Sequence, residues 1–246
     1  MTQKLWWITG AGSGIGQGLA RQVAAGGDRV VISGRRLSAL QETAAGSPNI
    51  ITQVLDIADR PSVALAVADI EANHGPIDVA ILGAAQYQQM DLSDFDCSRF
   101  GGLITTNVVG TANCLDPLFK RMGARGAGQI AVIASVAGYR GLPKAAAYGA
   151  SKAALINMLE ALKPSTEAAG IKLQVINPGF VETPMTKVNE FPMPFLIKSD
   201  AAVKHIRRGL ASRQFEIAFP WPFVVLLKIG RLLPSRLYFA ITRRML

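Results

Sequence analysis

Short apolar runs alternate along the chain with longer stretches in which apolar residues recur at helical spacing. The short runs suit buried strands, and the longer stretches suit helices that cover a sheet. This alternation indicates a doubly wound α/β fold with a parallel sheet. Strands are predicted at 5–9, 29–36 (with its loop), 51–56, 78–82 and 215–219, and helices at 17–25, 61–73 (capped by Asp59) and 200–210.

A glycine-rich turn, Gly10–Gly16, joins the first predicted strand to the first predicted helix. Glycines let the backbone approach a diphosphate closely, and N–H groups at a helix N-terminus point towards an anion. Because the turn lies between a strand and a helix, it favours dinucleotide binding over a purely structural turn. The residues expected to bind the diphosphate are Gly10, Ser13, Gly14, Ile15 and Gly16.

The second strand is followed by two arginines rather than by an acidic residue. An acid here would bind the ribose hydroxyls of NAD, whereas guanidinium groups bind phosphate well. Arg35 and Arg36 therefore predict NADP, whose 2′-phosphate they would hold; the alternative is a solvated basic turn. At the end of the third strand, Asp56 and Ile57 are placed to contact the adenine ring.

The segment Ala147–Lys152 carries the most informative chemistry. If it opens a helix, Tyr148 and Lys152 are four positions apart and share one face. A free tyrosine loses its proton only near pH ~10, and a neighbouring ammonium favours the phenolate. Such a phenol could exchange a proton with a substrate oxygen, which Ser135 could also hold. Taken alone, the pair is more typical of a surface contact on a helix.

Taken together, these motifs resemble the short-chain dehydrogenase/reductase family over residues 4–217. Thr9–Gly16 is similar to the family's Thr-Gly-x-x-x-Gly-x-Gly turn. The tyrosine, lysine and serine just described match its catalytic set in order and spacing. Asn177–Thr183 resembles the segment that closes over the nicotinamide.

The resemblance implies a role for each matching residue. Tyr148 would be the general acid in ketone reduction and the base in the reverse reaction, and Lys152 would lower its pKa and bind the nicotinamide ribose. Ser135 would steady the substrate oxygen, and Asn107 would hold a water that relays protons to Lys152. Further cofactor contacts are implied for Gly83 and Ala84 at the adenosine ribose, and for Pro178, Gly179, Val181 and Thr183 at the nicotinamide.

Some positions leave alternatives open or depart from the family pattern. Leu82–Ala85 stands where the family usually has Asn-Asn-Ala-Gly, which questions the local rigidity but still allows close backbone approach. Pro164 is predicted to kink or end the helix that begins near Tyr148. Asn107 could instead be an ordinary polar residue inside a helix, and Thr183 could cap the helix that follows.

The composition limits the number of domains and the kinds of partner that are expected. The 246 residues suit one large domain, expected at 1–218. No aromatic-basic module typical of nucleic-acid binding is present, so nucleic acid is not an expected partner. Cys97 and Cys114 make no disulfide framework, which indicates a reducing, cytoplasmic location. The two histidines are too few and too far apart to predict a metal site.

The end of the chain differs from the rest. The net charge is +9, and residues 198–246 hold ten basic and two acidic residues, a net charge of +8. Residues 184–199, here named the lid, are apolar and rich in proline, as expected above a hydrophobic substrate. Residues 219–246 form a predicted extension of two amphipathic helices, too short to cross a bilayer. They favour an anionic membrane surface; packing on a neighbouring subunit or over the cleft is the alternative.

The sequence therefore predicts an NADPH-dependent oxidoreductase that interconverts a carbonyl and an alcohol on a hydrophobic, lipid-like substrate. The alternative is an NADP-binding scaffold or redox sensor without turnover; the presence of Ser135, Tyr148 and Lys152 favours the enzyme. The resemblance further implies a homodimer or homotetramer that pairs through the helices carrying Asn107 and Tyr148. We expect a cytoplasmic protein whose extension reaches the cytoplasmic face of a membrane.

Overall fold

The computed structural model describes residues 3–245 and builds them around a parallel sheet. The strands are β1 (Leu5–Thr9), β2 (Arg29–Gly34), β3 (Ile50–Val54), β4 (Val79–Leu82), β5 (Gly128–Ile133), β6 (Ile171–Pro178), β7 (Val181–Glu182), β8 (Ile197–Lys198) and β9 (Glu216–Phe219). Seven of them form a sheet in the order β3-β2-β1-β4-β5-β6-β9, and β7 pairs with β8 beside it. The strand order reverses between β1 and β4, as in a doubly wound Rossmann-type fold. The predicted fold class is confirmed.

Helices cover both faces of the sheet. They are α1 (Gly14–Ala25), α2 (Leu37–Ala44), α3 (Arg60–His74), α4 (Cys97–Ile104), α5 (Gly110–Arg125), α6 (Ala146–Ala168), α7 (Ser199–Ala211), α8 (Trp221–Leu232) and α9 (Ser235–Thr242), with a π-helical turn at Thr105–Val109 between α4 and α5. The predicted cap of α3 is confirmed, because the Asp59 carboxylate accepts the Ser62 N–H at 3.4 Å. One apolar cluster lies between the sheet and α3, α5 and α6, and a second between the sheet and α1 and α7.

The strand β1 shows why the sheet lies at the centre. Its five residues are all buried, and successive side chains point to opposite faces. Trp7 joins the first apolar cluster, whereas Trp6 and Ile8 join the second. The buried Trp7 indole donates to the Ser33 hydroxyl at 2.9 Å, so its polar atom is satisfied inside the core.

Most element boundaries lie within one residue of the prediction, but two that bear on the cleft differ by more. The helix α1 begins at Gly14 rather than Gln17, which places Ile15 and Gly16 in its first turn. The strand β3 ends at Val54, where its pairing with β2 stops at Gly34. Asp56 therefore lies in the following loop, where its carboxylate accepts the Ala58 N–H at 3.0 Å.

Pro164 was predicted to kink or end α6, and the second of these outcomes is wrong, since the helix continues to Ala168. Pro164 lies on the exposed side of α6, where a carbonyl that loses its helical partner can be hydrated. Next to it, the Ser165 and Thr166 hydroxyls donate to the Leu162 and Lys163 carbonyls, each at 2.9 Å. These bonds, with the buried Thr166, hold the last turns in place.

The two helices predicted for the extension are present as α8 and α9, and they pack against the domain. Phe223 and Val224 of α8 are buried in the apolar cluster beside α6. Arg140, in the loop after β5, donates to the Gly230 and Leu233 carbonyls at 2.7 and 2.8 Å. Its guanidinium lies 3.8 Å from the centre of the Tyr238 ring. Within residues 3–245, no helix combines the length and apolarity needed to span a bilayer.

Candidate active site

A cleft of about 300 Å³ lies where the parallel strands end, lined by the turns that follow β1 to β6. It brings together nearly every site residue that the sequence predicts: Gly10, Ser13, Gly14, Ile15, Gly16, Arg35, Arg36, Asp56, Ile57, Gly83, Ala84, Ser135, Tyr148, Lys152, Pro178, Gly179, Val181 and Thr183. Asn107 is the exception, because it lies fully buried behind the wall. The carboxyl edge of a doubly wound sheet is the usual place for a ligand.

At one end of the cleft the glycine-rich turn forms a cradle in which the backbone is closely approached at its glycines. Gly10 has φ of +71°, and a Cβ there would lie 2.6 Å from the Cα of Ala84. A Cβ on Gly16 would lie 2.6 Å from the Gly10 carbonyl oxygen. The Ser13 side chain makes no capping bond to α1, so the first N–H groups of that helix face the cleft without a side-chain acceptor. These features fit a diphosphate.

The segment that replaces the family's Asn-Asn-Ala-Gly is held by Thr9. The Thr9 hydroxyl accepts the N–H groups of Gly83 and Ala84 at 3.1 and 3.3 Å. A Cβ on Gly83 would lie 2.9 Å from the Ile133 side chain, so a larger residue would not fit there. Bonds from the neighbouring strand β1 thus supply the order that the missing asparagines left in question.

The end of the cleft beside Arg35 and Arg36 is basic on one side and apolar on the other. Arg35 and Arg36 are exposed on the cleft wall, and neither enters an ion pair within the described part of the chain. Across from them, the Ile57 carbonyl accepts the Asn113 amide at 2.9 Å. Ile57 also packs so closely on α5 that a Cβ on Gly110 would meet it at 2.7 Å. The apolar wall is therefore fixed in position.

The other end of the cleft holds the serine, tyrosine and lysine. Lys152 is buried, and its ammonium donates to the Ile133 carbonyl at 2.8 Å and lies 5.5 Å from the centre of the Tyr148 ring. A Cβ on Gly138 would lie 2.7 Å from the Lys152 carbonyl carbon, so this glycine lets the turn after Ser135 pack on α6. Ser135 and Tyr148 thereby face the same cavity.

The segment that follows β6 closes one side of the cleft. Thr183 packs against the phosphate turn, because a Cβ on Gly14 would meet its methyl group at 3.0 Å. The predicted capping role of Thr183 is wrong: a turn follows, in which its carbonyl accepts the Thr186 and Lys187 N–H groups at 3.1 and 3.2 Å. The Thr186 hydroxyl in turn accepts the Thr183 N–H at 3.1 Å.

Residues 4–191 match the family model described as short chain dehydrogenase. The chain belongs to the short-chain dehydrogenase family. An uncharacterized oxidoreductase of Myxococcus xanthus is 34% identical over 249 residues, covering 100% of this chain and 98% of that protein. An uncharacterized oxidoreductase of Mycobacterium tuberculosis is 30% identical, covering 96% of each. A short-chain dehydrogenase from Streptomyces avermitilis has a TM-score of 0.85 and 26% identity, covering 94% of this chain and 93% of that one.

This short-chain dehydrogenase is therefore an oxidoreductase, and its family uses nicotinamide cofactors. Among other solved structures, ElxO with NADP bound is 25% identical, with a TM-score of 0.79, covering 88% of this chain and 98% of that one. The Myxococcus relative is matched over the whole chain, so that similarity extends through residues 219–246.

Burial dominates the electrostatics of this short-chain dehydrogenase at the reactive end. Burial raises the pKa of Tyr148 to about 12, and the Ser135 hydroxyl offsets part of that rise. Burial also lowers the pKa of Lys152 to about 7. The expectation that Lys152 depresses the pKa of the phenol is therefore not met in this structure: the lysine is bonded to the Ile133 carbonyl, and desolvation favours the neutral form of both groups.

The side chain of Asn107 stabilises the wall of the cleft and does not line the cavity. It lies in the π-helical turn, where the extra residue turns it inwards. Its amide nitrogen donates to the Gln86 carbonyl and the Ser151 hydroxyl, both at 3.0 Å, and its oxygen accepts the Gln86 N–H at 2.7 Å. Both amide protons are used, so a water relay to Lys152 would have to use an oxygen of Asn107.

Several contributors were not predicted from the sequence. Ser151 bonds to both Asn107 and the Tyr148 carbonyl, the latter at 2.7 Å. Ser151 stands inside the Tyr-x-x-x-Lys motif, which was the available signal. Met185 and Thr186 fall within the lid, residues 184–199, but no sequence pattern marked either as an individual site residue. The cleft-lining residues that were not individually predicted are Gly12, Gly34, Ala39, Leu40, Leu55, Thr106, Ile133, Ala134, Met185 and Thr186.

Burial of Lys152 makes stability depend on pH. Its folded pKa of about 7 lies below the ordinary value of 10.5, so unfolding takes up a proton between those limits. The contribution of Lys152 to the free energy of unfolding is therefore lowest below about pH 7. It rises as the pH increases towards 10.5, the ordinary pKa of lysine. Relative to Lys152→Met, the native protein should gain free energy of unfolding between about pH 7 and pH 9.5, by up to about 1.4 kcal/mol per pH unit.

Urea denaturation at several pH values measures this difference. Lys204→Met, which removes an exposed lysine of α7, is the matched control and should show no such slope. A stability difference for Lys152→Met that stays flat across the pH range would contradict the buried, neutral lysine.

Proposed function

We propose that this short-chain dehydrogenase is an NADPH-dependent reductase of a carbonyl group on a hydrophobic substrate. The observation that carries the proposal is a single cleft with a glycine cradle at one end and Ser135, Tyr148 and Lys152 at the other. The exposed Arg35 and Arg36 beside the cradle favour a cofactor with a 2′-phosphate. ElxO, solved with NADP bound, is a similar structure and supports the same choice.

The proposed chemistry assigns a task to each residue at the reactive end. When bound, the nicotinamide supplies the hydride. Tyr148 delivers a proton to the carbonyl oxygen, and the Ser135 hydroxyl donates a hydrogen bond to that oxygen as negative charge develops on it. Lys152 holds the nicotinamide ribose and restores the proton on Tyr148 from solvent. Asn107 fixes the positions of Gln86 and Ser151. Its oxygen atoms accept a hydrogen bond from the water that relays protons to Lys152.

The protonation of the site near neutral pH suits a proton donor. With a pKa of about 12, Tyr148 carries its proton, which is the form that a donor needs. With a pKa of about 7, Lys152 can both give and take a proton at that pH. The hydrophobic substrate is inferred from the lid, in which Val188, Phe195 and Leu196 are exposed apolar residues.

Tyr148→Phe tests the mechanism. Removal of the proton donor should lower the turnover of NADPH with a ketone by about 100- to 10,000-fold, because general acid catalysis contributes that much. The loss of NADPH absorbance measures turnover, and NADPH fluorescence measures binding, which should stay within about twofold.

A screen of ketones of rising chain length supplies the substrate for that assay. Near-normal turnover by Tyr148→Phe would contradict the mechanism. Tight NADPH binding by the native protein without turnover of any ketone or alcohol would favour the scaffold or redox sensor instead.

Arg35→Ala tests the cofactor. Loss of a charge-assisted bond to the 2′-phosphate should weaken NADPH by about 10- to 100-fold and leave NADH nearly unchanged. Dissociation constants for both nucleotides measure the effect. Arg213→Ala, which removes an exposed arginine outside the cleft, should change neither. Equal weakening of NADPH and NADH by Arg35→Ala would refute the NADP assignment.

We further propose that the outer face of α8 and α9 contacts an anionic membrane surface. The inner face packs on the domain, but large apolar side chains remain exposed on the outer one: Trp221, Leu226, Ile229, Leu232, Leu237, Phe239 and Ile241. Four exposed arginines accompany them, at 231, 236, 243 and 244, and no acidic residue follows Glu216 in the sequence. Apolar and cationic side chains on one short helical pair suit a lipid surface.

Leu232→Glu tests this contact, since Leu232 is 83% exposed and its replacement should not disturb the fold. Flotation with vesicles of phosphatidylcholine and phosphatidylglycerol should recover the native protein and recover the variant at least about tenfold less. Leu65→Glu on α3, where the leucine is 71% exposed, is the matched control and should float normally.

A native protein that stays unbound to the vesicles while Leu232→Glu dissociates an oligomer would place a second subunit on this face instead. Size-exclusion chromatography with light scattering separates these outcomes. It also checks the homodimer or homotetramer that we expect from the family.

A further inference from the structure

The segment 86–90, which follows β4, is fixed at both ends. At Gln86 the backbone N–H and carbonyl both bond to the side-chain amide of Asn107, at 2.7 and 3.0 Å. At Met90 the N–H donates to the Lys144 carbonyl at 2.9 Å, and the side chain is buried. The backbone between these two points is therefore held between the π-helical turn and the loop that leads into α6.

Tyr87 extends from this fixed segment and contacts two parts of the site. Its ring centre lies 4.9 Å from that of Tyr148, with the planes at 89°, an edge-to-face pair. Its hydroxyl donates to the side-chain oxygen of Asn189 at 2.7 Å. Tyr87 thus joins the proposed proton donor to the lid, residues 184–199.

Asn189 is the polar centre of the lid. Its backbone N–H donates to the Thr186 carbonyl at 3.1 Å, which links it to the turn that lines the cleft. Its side-chain nitrogen donates to the Met193 sulfur at 3.5 Å, and its oxygen also accepts from Gln89 at 3.4 Å. Its neighbours Val188 and Glu190 are both exposed, whereas Asn189 is turned inwards.

The opposite side of the lid is attached differently. Phe191 stacks edge-on to Phe180 with ring centres 6.0 Å apart, and Phe195 lies 5.9 Å from Phe223 of α8. Phe180 and Phe223 also stack on each other at 5.5 Å. Several aromatic contacts together hold this side of the lid, whereas the side at Asn189 is held chiefly by one short hydrogen bond. The polar side is therefore the side that can release first.

We propose that Tyr87 is a positioning residue that latches the lid over the cleft through Asn189 and sets the ring of Tyr148, a role in catalysis that rests on the proposed reductase function. With the hydrogen bond made, the lid covers the reactive end and limits the access of water. Exchange of substrate and product requires the bond to break. Because Tyr87 contacts both Asn189 and Tyr148, opening of the lid also changes the support of the Tyr148 ring.

Trypsin cleavage after Lys187, an exposed lid residue two positions before Asn189, reports opening of the latch without any need for turnover. Cleavage of a transiently opened segment follows the population of the open form. Loss of one hydrogen bond should raise that population by about fivefold. We expect the rate of this cleavage, followed by mass spectrometry of the Lys187 product, to rise by about that factor in Tyr87→Phe.

Variants of the partner make the test specific. Asn189→Leu should give the same increase, and the double variant should cleave no faster than either single one, because both changes remove the same bond. Asn189→Asp, which keeps an acceptor for the hydroxyl, should retain the slow native rate. Tyr238→Phe is the matched control: it removes a hydroxyl that donates to the Gly141 carbonyl at 2.6 Å, away from the lid, and should leave this cleavage unchanged.

An unchanged rate in Tyr87→Phe would overturn the proposal, as would additive effects of about 25-fold in the double variant. An equal increase in Tyr238→Phe would also overturn it, since that result would indicate general loosening. The protease measurement uses the protein without nucleotide, so it stands even if no ketone is reduced. Failure of the reductase proposal would show instead in the Tyr148→Phe assay.

Discussion

The site depends on how closely the backbone approaches itself where β1 and β4 end. At Gly10 the main chain comes so near to Ala84 that a single added carbon would lie within 2.6 Å of it. This approach lets the Thr9 hydroxyl reach the N–H groups of two residues beyond β4. It also starts α1 directly above the carboxyl edge of the sheet, with its free N–H groups facing the cleft. Without that approach, neither the cradle nor the wall opposite it would form.

At the other end of the cleft, burial has more influence than ion pairing. Lys152 is held by a carbonyl oxygen rather than a carboxylate, and Tyr148 is covered on one side by another tyrosine ring. In such surroundings the neutral forms of an amine and a phenol are both favoured. The protonation of this site therefore depends on how much water reaches it. That places the lid, which we propose limits access to the cleft, among the determinants of its chemistry.

The fold and most of the cleft could be predicted because they follow from local signals. The glycines at 10, 14 and 16 and the Tyr148–Lys152 spacing are visible in the sequence, and all five residues line one cavity. The direction of the Asn107 side chain was not predictable, because a π-helical turn shifts the register of a helix without a compositional mark. The continuation of α6 through Pro164 depends on neighbouring hydroxyls and on which side faces solvent. Contacts between distant segments, such as Tyr87 with Asn189, lie outside any local pattern.

The attachment of the C-terminal helices by Arg140 has a consequence for how this region can vary. The arginine contacts main-chain carbonyls at positions 230 and 233 together with one aromatic ring, so it recognises the path of the backbone more than the identity of side chains. Substitutions on the outward face would leave that anchorage intact. The exposed side chains of α8 and α9 can therefore change to suit different surroundings without loss of the attachment to the loop that follows Ser135.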